Sequence, residues 1–191
     1  MAQALKGRGF RFHTAGIGAG HLPQPAALDG VSIILLCGVA GALDPALTIG
    51  DVILDDPGHR ISDSSLYRRG RIHTAGEIIS TPAKKATLYA DTGTLAVDME
   101  QSIVRDFAAQ RHIPVIGLRA ISDTADQILD SAVLNLVDDL GRPRATRIAS
   151  ALIRRPSLAR HLNRLNSNTK IALKNLSAAL IFAADHLNQT G

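Results

Sequence analysis

The segment Ala96 to Asp126, AVDMEQSIVRDFAAQRHIPVIGLRAISDTAD, decides the fold class, because it reads in order as strand, acid, helix, strand, acid. Thr94 to Val97 is a short run suited to a strand, and Asp98 is placed to cap the helix that follows. From Met99 the apolar residues recur as Met99, Ile103, Phe107 and Ala108, the helical spacing that buries one face, while Arg105, Asp106, Gln110 and Arg111 take the other. Pro114 ends that pattern. Pro114 to Ile121 is nearly uncharged, as expected of a strand covered on both faces, and it runs into Ser122-Asp123-Thr124. Ligands of open α/β sheets bind outside the carboxyl ends of the strands. On this reading Glu100 and Asp123 are both delivered there.

Upstream, Val31 to Cys37 is a continuous aliphatic run that opens into Gly38-Val39-Ala40-Gly41, a buried strand followed by a tight loop. Asp51 to Leu54 reads as a short strand, residues 55 to 71 as a solvated excursion, Ile72 to Thr81 as a weaker strand and Ala83 to Ala90 as a short helix. Beyond Asp126 the pattern is helical over Ala132 to Leu140, Ala145 to Ile153 and Ser157 to Leu187, the last with a break near residues 166 to 168. Gly141, Pro143 and Pro156 separate the pieces. The fold expected is an α/β, three-layer αβα sandwich with a mixed central sheet and a helical C-terminal extension. Residues 1–140 form the α/β body, and residues 141–191 a basic extension packed on the same domain.

Composition supports one core. The chain has 191 residues, 46% of them hydrophobic and 20% charged, enough for one sizeable domain and too few for two comfortable ones. Cys37 is the single cysteine and lies within an apolar run, so a buried thiol in a reducing compartment is expected. MAQALKGRGFRFH lacks the apolar core of a secretory signal, and no uncharged apolar stretch is long enough to span a bilayer. A cytoplasmic protein is expected. Residues 1–140 carry 12 basic and 16 acidic side chains and residues 141–191 carry 9 and 1, a front of −4 and a tail of +8. Such a tail suits an anionic membrane face or nucleic acid. With aromatics at only 3%, base stacking is poorly supplied, so nucleic acid is not expected as a partner.

Motifs narrow the chemistry further. The seven histidines are scattered, and there is no His-Glu-x-x-His, no paired cysteine motif, no Gly-x-Ser-x-Gly elbow and no phosphate-binding Walker loop. No metal site is expected. HTAGIGAGH, residues 13 to 21, fits both a plain turn and a ligand loop, without the full dinucleotide fingerprint. Asp123 taken alone reads as a turn or helix cap, and Glu100 as a first-turn acid favoured by the helix dipole. Together with Gly38 to Gly41 they place three candidate site elements at the carboxyl ends of three strands.

These residues carry a family resemblance. GVAGALDPALTIGDVIL (Gly38 to Leu54), AVDME and RAISDTAD resemble the two hallmark regions of the purine nucleoside phosphorylase and methylthioadenosine nucleosidase superfamily. Within it the chain is most similar to the hopanoid-associated phosphorylase group, through GVAGALDPAL, AVDME and the tail GRPRATRIASALIRRPSLARHLNRL. The resemblance implies cleavage of an N-ribosyl bond that releases adenine from an adenosine-type nucleoside, with adenosylhopane of hopanoid biosynthesis as the favoured substrate. It implies Asp123 as the acid that protonates purine N7, neutral for that purpose, with Ser122 orienting it. Glu100 would hold the ribose hydroxyls, Met99 would pack on the sugar face, and Gly38, Val39, Ala40 and Gly41 would form the substrate loop. It also implies a homo-oligomer and no cofactor, with inorganic phosphate an alternative to water as co-substrate.

By the same resemblance the chain opens at what looks like the family's second strand. Leu36 and Val39 stand where phosphorylases of the family place Arg and Ser for phosphate, and neither side chain binds an anion. The rival expectation is a truncated or non-catalytic nucleoside-binding module. A further expectation is that the basic, leucine-rich tail docks peripherally at the inner membrane face.

Overall fold

The computed structural model describes residues 5, 9–129, 136–140, 142, 144–156 and 158–190. Its centre is a six-stranded mixed sheet with strands β1 (Ile34–Ala42), β2 (Val52–Asp55), β3 (Arg68–Arg69), β4 (Ile72–Thr74), β5 (Ala96–Asp98) and β6 (Val115–Asp123). The strand order is β3-β2-β6-β1-β5-β4. β6 runs parallel to β1, whereas β2 is antiparallel to β6 and β5 antiparallel to β1. The helices are α1 (Pro82–Thr92), α2 (Gln101–Ala109), α3 (Ala145–Arg154) and α4 (Leu158–Thr190). With α4 on one sheet face and α2 on the other, the expected α/β three-layer architecture is realised.

Alternation along the central strands sorts the chemistry. Val52, Leu54, Ile116, Leu118 and Ala120 point to one side and meet Ala172, Leu176, Ala179, Leu180, Ala183 and Ala184 of α4, a helical stripe of small and branched residues. That face is apolar throughout. The residues between them in sequence, Asp55, Gly117, Arg119 and Asp123, belong to the opposite side, where Asp55 meets Arg105 of α2 and Arg119 meets Asp98. The Arg105–Asp55 and Arg119–Asp98 pairs therefore lie on the α2 side of the sheet.

Local signals explain α1 well. Thr81 caps it by accepting from the Lys84 amide at 3.3 Å, Pro82 occupies the first turn, and Gly93 ends it in the left-handed region at φ 63° with its amide on the Tyr89 carbonyl. α2 starts later than expected and is rotated in phase. Its buried residues are Gln101, Val104 and Ala108, while Ile103 is 40% exposed. The reason is Gly117, where a Cβ would stand 2.3 Å from Gln101 Nε2, so the missing side chain makes room for Gln101 on the sheet.

Residues 55 to 71 are largely exposed, as expected of a solvated excursion, but are anchored at two points: Asp56 accepts from the Ile61 amide at 2.9 Å, Ile61 is fully buried, and Tyr67 meets Phe182 of α4 with ring centroids 6.2 Å apart. Three further expectations are corrected. Of the strand expected over Ile72 to Thr81, only Ile72–Thr74 forms. The helix expected over Ala132 to Leu140 lies partly outside the described residues, as do the separators Gly141 and Pro143, and residues 136–140 are not α-helical. There Asp138 accepts from the amides of Leu140 and Arg142 at 3.0 and 2.8 Å, a local bonding pattern that competes with a helix. α4, by contrast, runs unbroken through residues 166–168, with its apolar stripe from Ala172 to Ala184 on the sheet just beyond them. Among the described residues no helix is long and apolar enough to cross a membrane.

Candidate functional site

Asp123 ends β6, and its neighbour across the ladder is Gly41 of β1. Gly38 to Gly41 were expected to form a loop, and they are instead the second half of β1. Leu36 to Gly41 pair in parallel with β6, and Gly41 pairs on its other side with Val97 of β5. Partners on both sides hold the segment extended where glycines alone suggest a turn. The glycines still have a function, because a Cβ on Gly38 would stand 3.2 Å from Arg119 and one on Gly41 only 2.8 Å from Asp123 Oδ2. Between Ala40 and Gly41 the register slips, so Ser122 is the extra residue and Asp123 is aimed beside Gly41.

Both oxygens of Asp123 are engaged. Ser122 Oγ donates to Oδ1 at 3.1 Å and also reaches the Ala40 carbonyl at 3.4 Å. Lys85 of α1 donates to Oδ2 at 2.6 Å and to the Thr124 carbonyl at 2.7 Å. Lys85 and Asp123 are both buried, with side chains 0% and 5% exposed. Asp123 was expected to act as an isolated acid, and the structure sets the Lys85 ammonium on its Oδ2.

Glu100 and Met99 sit half-buried in the bend between β5 and α2. Glu100 Oε1 accepts from the Gly18 amide at 2.9 Å, and Oε2 lies 3.7 Å from Arg119 Nη2. Burial pushes the Glu100 carboxyl above its usual range, with the Gly18 amide and the Arg119 guanidinium opposing the shift. Gly18 belongs to the glycine cluster at residues 13 to 21, which forms a short 3-10 turn over Ile17–Ala19 with Gly16 and Gly18 at φ 74° and 61°. The cluster is thus a turn whose amide grips a site acid. Arg119, 1% exposed, also donates through Nε and Nη2 to Asp98 Oδ2 and through Nη1 to the Leu36 carbonyl. Asp98 does accept from the Gln101 amide at the start of α2, at 3.0 Å.

The two acids do not share one strand edge. β5 runs back along β1, so Glu100 lies beside Arg119, which pairs with Gly38, while Asp123 lies beside Gly41. At about 3.3 Å per residue, the offset along β1 is roughly 10 Å. The expectation that both acids lie outside carboxyl ends facing the same way is corrected by the antiparallel β5.

Two buried cations escaped the sequence reading. Arg119 was visible as the lone charge in the strand that precedes Ser122, and a charge there demands a partner. Lys85 shares the inner side of α1 with Leu88 and Tyr89, three and four residues on, whereas Lys84 is exposed and pairs with Glu77. Cys37 packs against the α4-side core, and desolvation pushes its thiol up to about 12, which disfavours the reactive thiolate.

Residues 62–154, a little under half of the chain, match the family model of the Phosphorylase superfamily. Among solved structures, the chain is similar to the Campylobacter jejuni 5'-methylthioadenosine/S-adenosyl homocysteine nucleosidase, with TM-score 0.52 and 19% identity over 84% of this chain and 71% of that one. A candidate methylthioadenosine nucleosidase from Weissella paramesenteroides aligns with TM-score 0.48 and 22% identity over 63% of this chain and 71% of that one. Futalosine hydrolase of Helicobacter pylori aligns with TM-score 0.47 and 23% identity over 59% and 64%. The chain therefore spans about two thirds of the length of these solved structures. At such identities the likeness is one of fold, and the fold is that of the nucleoside phosphorylases.

Proposed function

We propose that the chain is an N-ribosyl glycosidase of the nucleoside phosphorylase superfamily, releasing adenine from an adenosine-type nucleoside. The observation that carries this reading is the placement of Asp123 beside the side-chain-free Gly41, with Glu100 roughly 10 Å away along the same strand. A nucleoside is of a size to bridge that gap, its purine N7 at Asp123 and its ribose hydroxyls at Glu100. Breaking the N-glycosidic bond leaves electron density on the purine and positive charge on the ribose. The Asp123 and Lys85 pair answers the first, and the Glu100 carboxylate answers the second. Ser122 fixes the acid, and Met99 stands next to Glu100 to pack against the sugar. The mechanism asks for no cofactor. Water or inorganic phosphate serves as nucleophile.

For the substrate we favour a nucleoside with a large apolar 5' substituent, adenosylhopane in the first instance. The support is α3, which has no buried residue and carries Ile153, 82% exposed, next to Arg154 and Arg155. Apolar and basic groups together there suit a substrate presented from an anionic surface, and they support a peripheral membrane contact for a cytoplasmic, self-associating enzyme. The test is chromatographic detection of free adenine after incubation with adenosylhopane, methylthioadenosine or adenosine, with and without phosphate. Absence of adenine from all of them overturns the reading. A second reading, a nucleoside-binding module without turnover, draws on the Gly18 amide, which already occupies one oxygen of Glu100. It predicts thermal stabilisation by the nucleoside with no adenine formed.

A further inference from the structure

We infer that Lys85 is the positioning residue that holds Asp123 and supplies, through it, the proton that leaves with adenine. The inference rests on the glycosidase reading above and adds a residue that neither the motifs nor the family likeness points to. Burying an ammonium is unfavourable unless it is paired and hydrogen-bonded, and Lys85, with no exposed surface, is both. Packing alone would be met as well by Leu or Met. Lys84, one residue earlier on the same helix, stays in solvent, so α1 selects Lys85 alone for the interior.

The contacts set the order of events. Ser122 holds Oδ1 and Lys85 holds Oδ2, so the carboxylate is fixed in rotation, with the side-chain-free Gly41 close beside Oδ2. As the bond from C1' to N9 breaks, its electron pair passes to the purine, and N7 takes a proton through Asp123 while the Lys85 ammonium delivers one to Asp123 across 2.6 Å. Asp123 ends in the state in which it began, and the net transfer is one proton from Lys85 to the purine. The attacking water bonds to C1' and loses a proton, which restores the ammonium, so the cycle closes without any other reactant. Facing Lys85 are Asp123 and the Thr124 carbonyl at the end of β6; Asp126, on which the Lys85 charge acts, lies just beyond, under the further influence of Arg164 of α4.

The experiment measures kcat and KM for adenine release in the wild-type protein, Lys85→Gln, Lys85→Met, Lys85→Arg and the control Asp126→Asn, with folding followed by circular dichroism. We expect folded Lys85→Gln and Lys85→Met to lose about 10-fold or more in kcat while KM changes little, and Asp126→Asn to keep both wild-type values. A folded Lys85→Gln with wild-type kcat overturns the proposal, because an ordinary structural ion pair would behave that way. If neither Lys85→Gln nor Lys85→Met folds, Lys85→Arg decides: it keeps the charge but cannot pass on its proton, so a lowered kcat at unchanged KM supports the proposal and a wild-type kcat overturns it. A wild-type protein that releases no adenine from any of the nucleosides tested overturns the glycosidase reading and this one with it, an outcome distinct from the others.

Discussion

Arg119 and Asp98 form an ion pair almost wholly removed from water, with Nε and Nη2 of one on the same carboxylate oxygen of the other at 3.0 and 2.7 Å. The pair reaches from β6 to the end of β5 past Gly38 of β1, where a side chain would intrude. It fixes where β5 gives way to Met99 and Glu100, and so places the Glu100 carboxyl. Removing one member of a buried pair leaves the other charge uncompensated, which costs about 3–5 kcal/mol. Asp98→Asn is expected to unfold at lower urea with an unchanged slope. A midpoint equal to the wild type would mean that Arg119 finds another partner.

Asp123→Asn is expected to cut adenine release by about 10²- to 10⁴-fold, since an amide cannot pass on a proton. It also strips Lys85 of its carboxylate, so a lower thermal midpoint should accompany the loss of activity. A folded variant that releases adenine at nearly the wild-type rate would remove Asp123 from its role as acid.

Glu100→Gln should separate function from stability. Burial is the main reason that the Glu100 carboxyl lies above its usual range, so between the unfolded and folded pKa values the native state binds more protons than the unfolded one. Stability therefore falls as pH rises through that window, and at neutral pH the charged side chain is a net burden. The amide variant is expected to melt higher than wild type at neutral pH and to lose the difference in acid, while nucleoside binding and turnover both weaken. If only the melting behaviour changed, Glu100 would be confined to anchoring Gly18 and the start of α2.

Gly41→Ala tests the close approach directly. A Cβ there would lie 2.8 Å from Asp123 Oδ2, so the carboxylate must move off its Ser122 and Lys85 contacts. We expect a folded protein with adenine release reduced by about 10-fold or more, since small displacements of an acid are costly to proton transfer. Wild-type turnover in Gly41→Ala would indicate that the present position of Asp123 is not the productive one.

The basic helical region makes its own prediction. α3 has no buried residue, and Ile153 is 82% exposed near Arg154 and Arg155. Co-sedimentation should favour anionic over neutral vesicles at low salt, fade at high salt and weaken in Ile153→Glu. Equal partition between the two vesicle types at low salt would leave α3 without a membrane role.

Much of the architecture is legible in the chain because its causes are local. Thr81, Pro82 and Gly93 delimit α1 through caps that need no distant partner. The run at Val115 to Ile121, apolar apart from Arg119, marks a central strand, and the stripe from Ala172 to Ala184 marks a helix that covers it. Ser122 and Asp123 could be singled out because they end such a strand. What only the tertiary structure decided depends on neighbours far along the chain. Gly38 to Gly41 are extended because β5 and β6 bond to them from both sides, and β5 runs antiparallel because of its pairing, which composition does not encode. Arg119 finds Asp98, and Gly18 finds Glu100, 82 residues away, through packing alone. Lys85 acquires its meaning the same way: to local pattern it is one of two adjacent lysines on a short helix, and only the docking of that helix against the end of β6 sets its ammonium on Asp123.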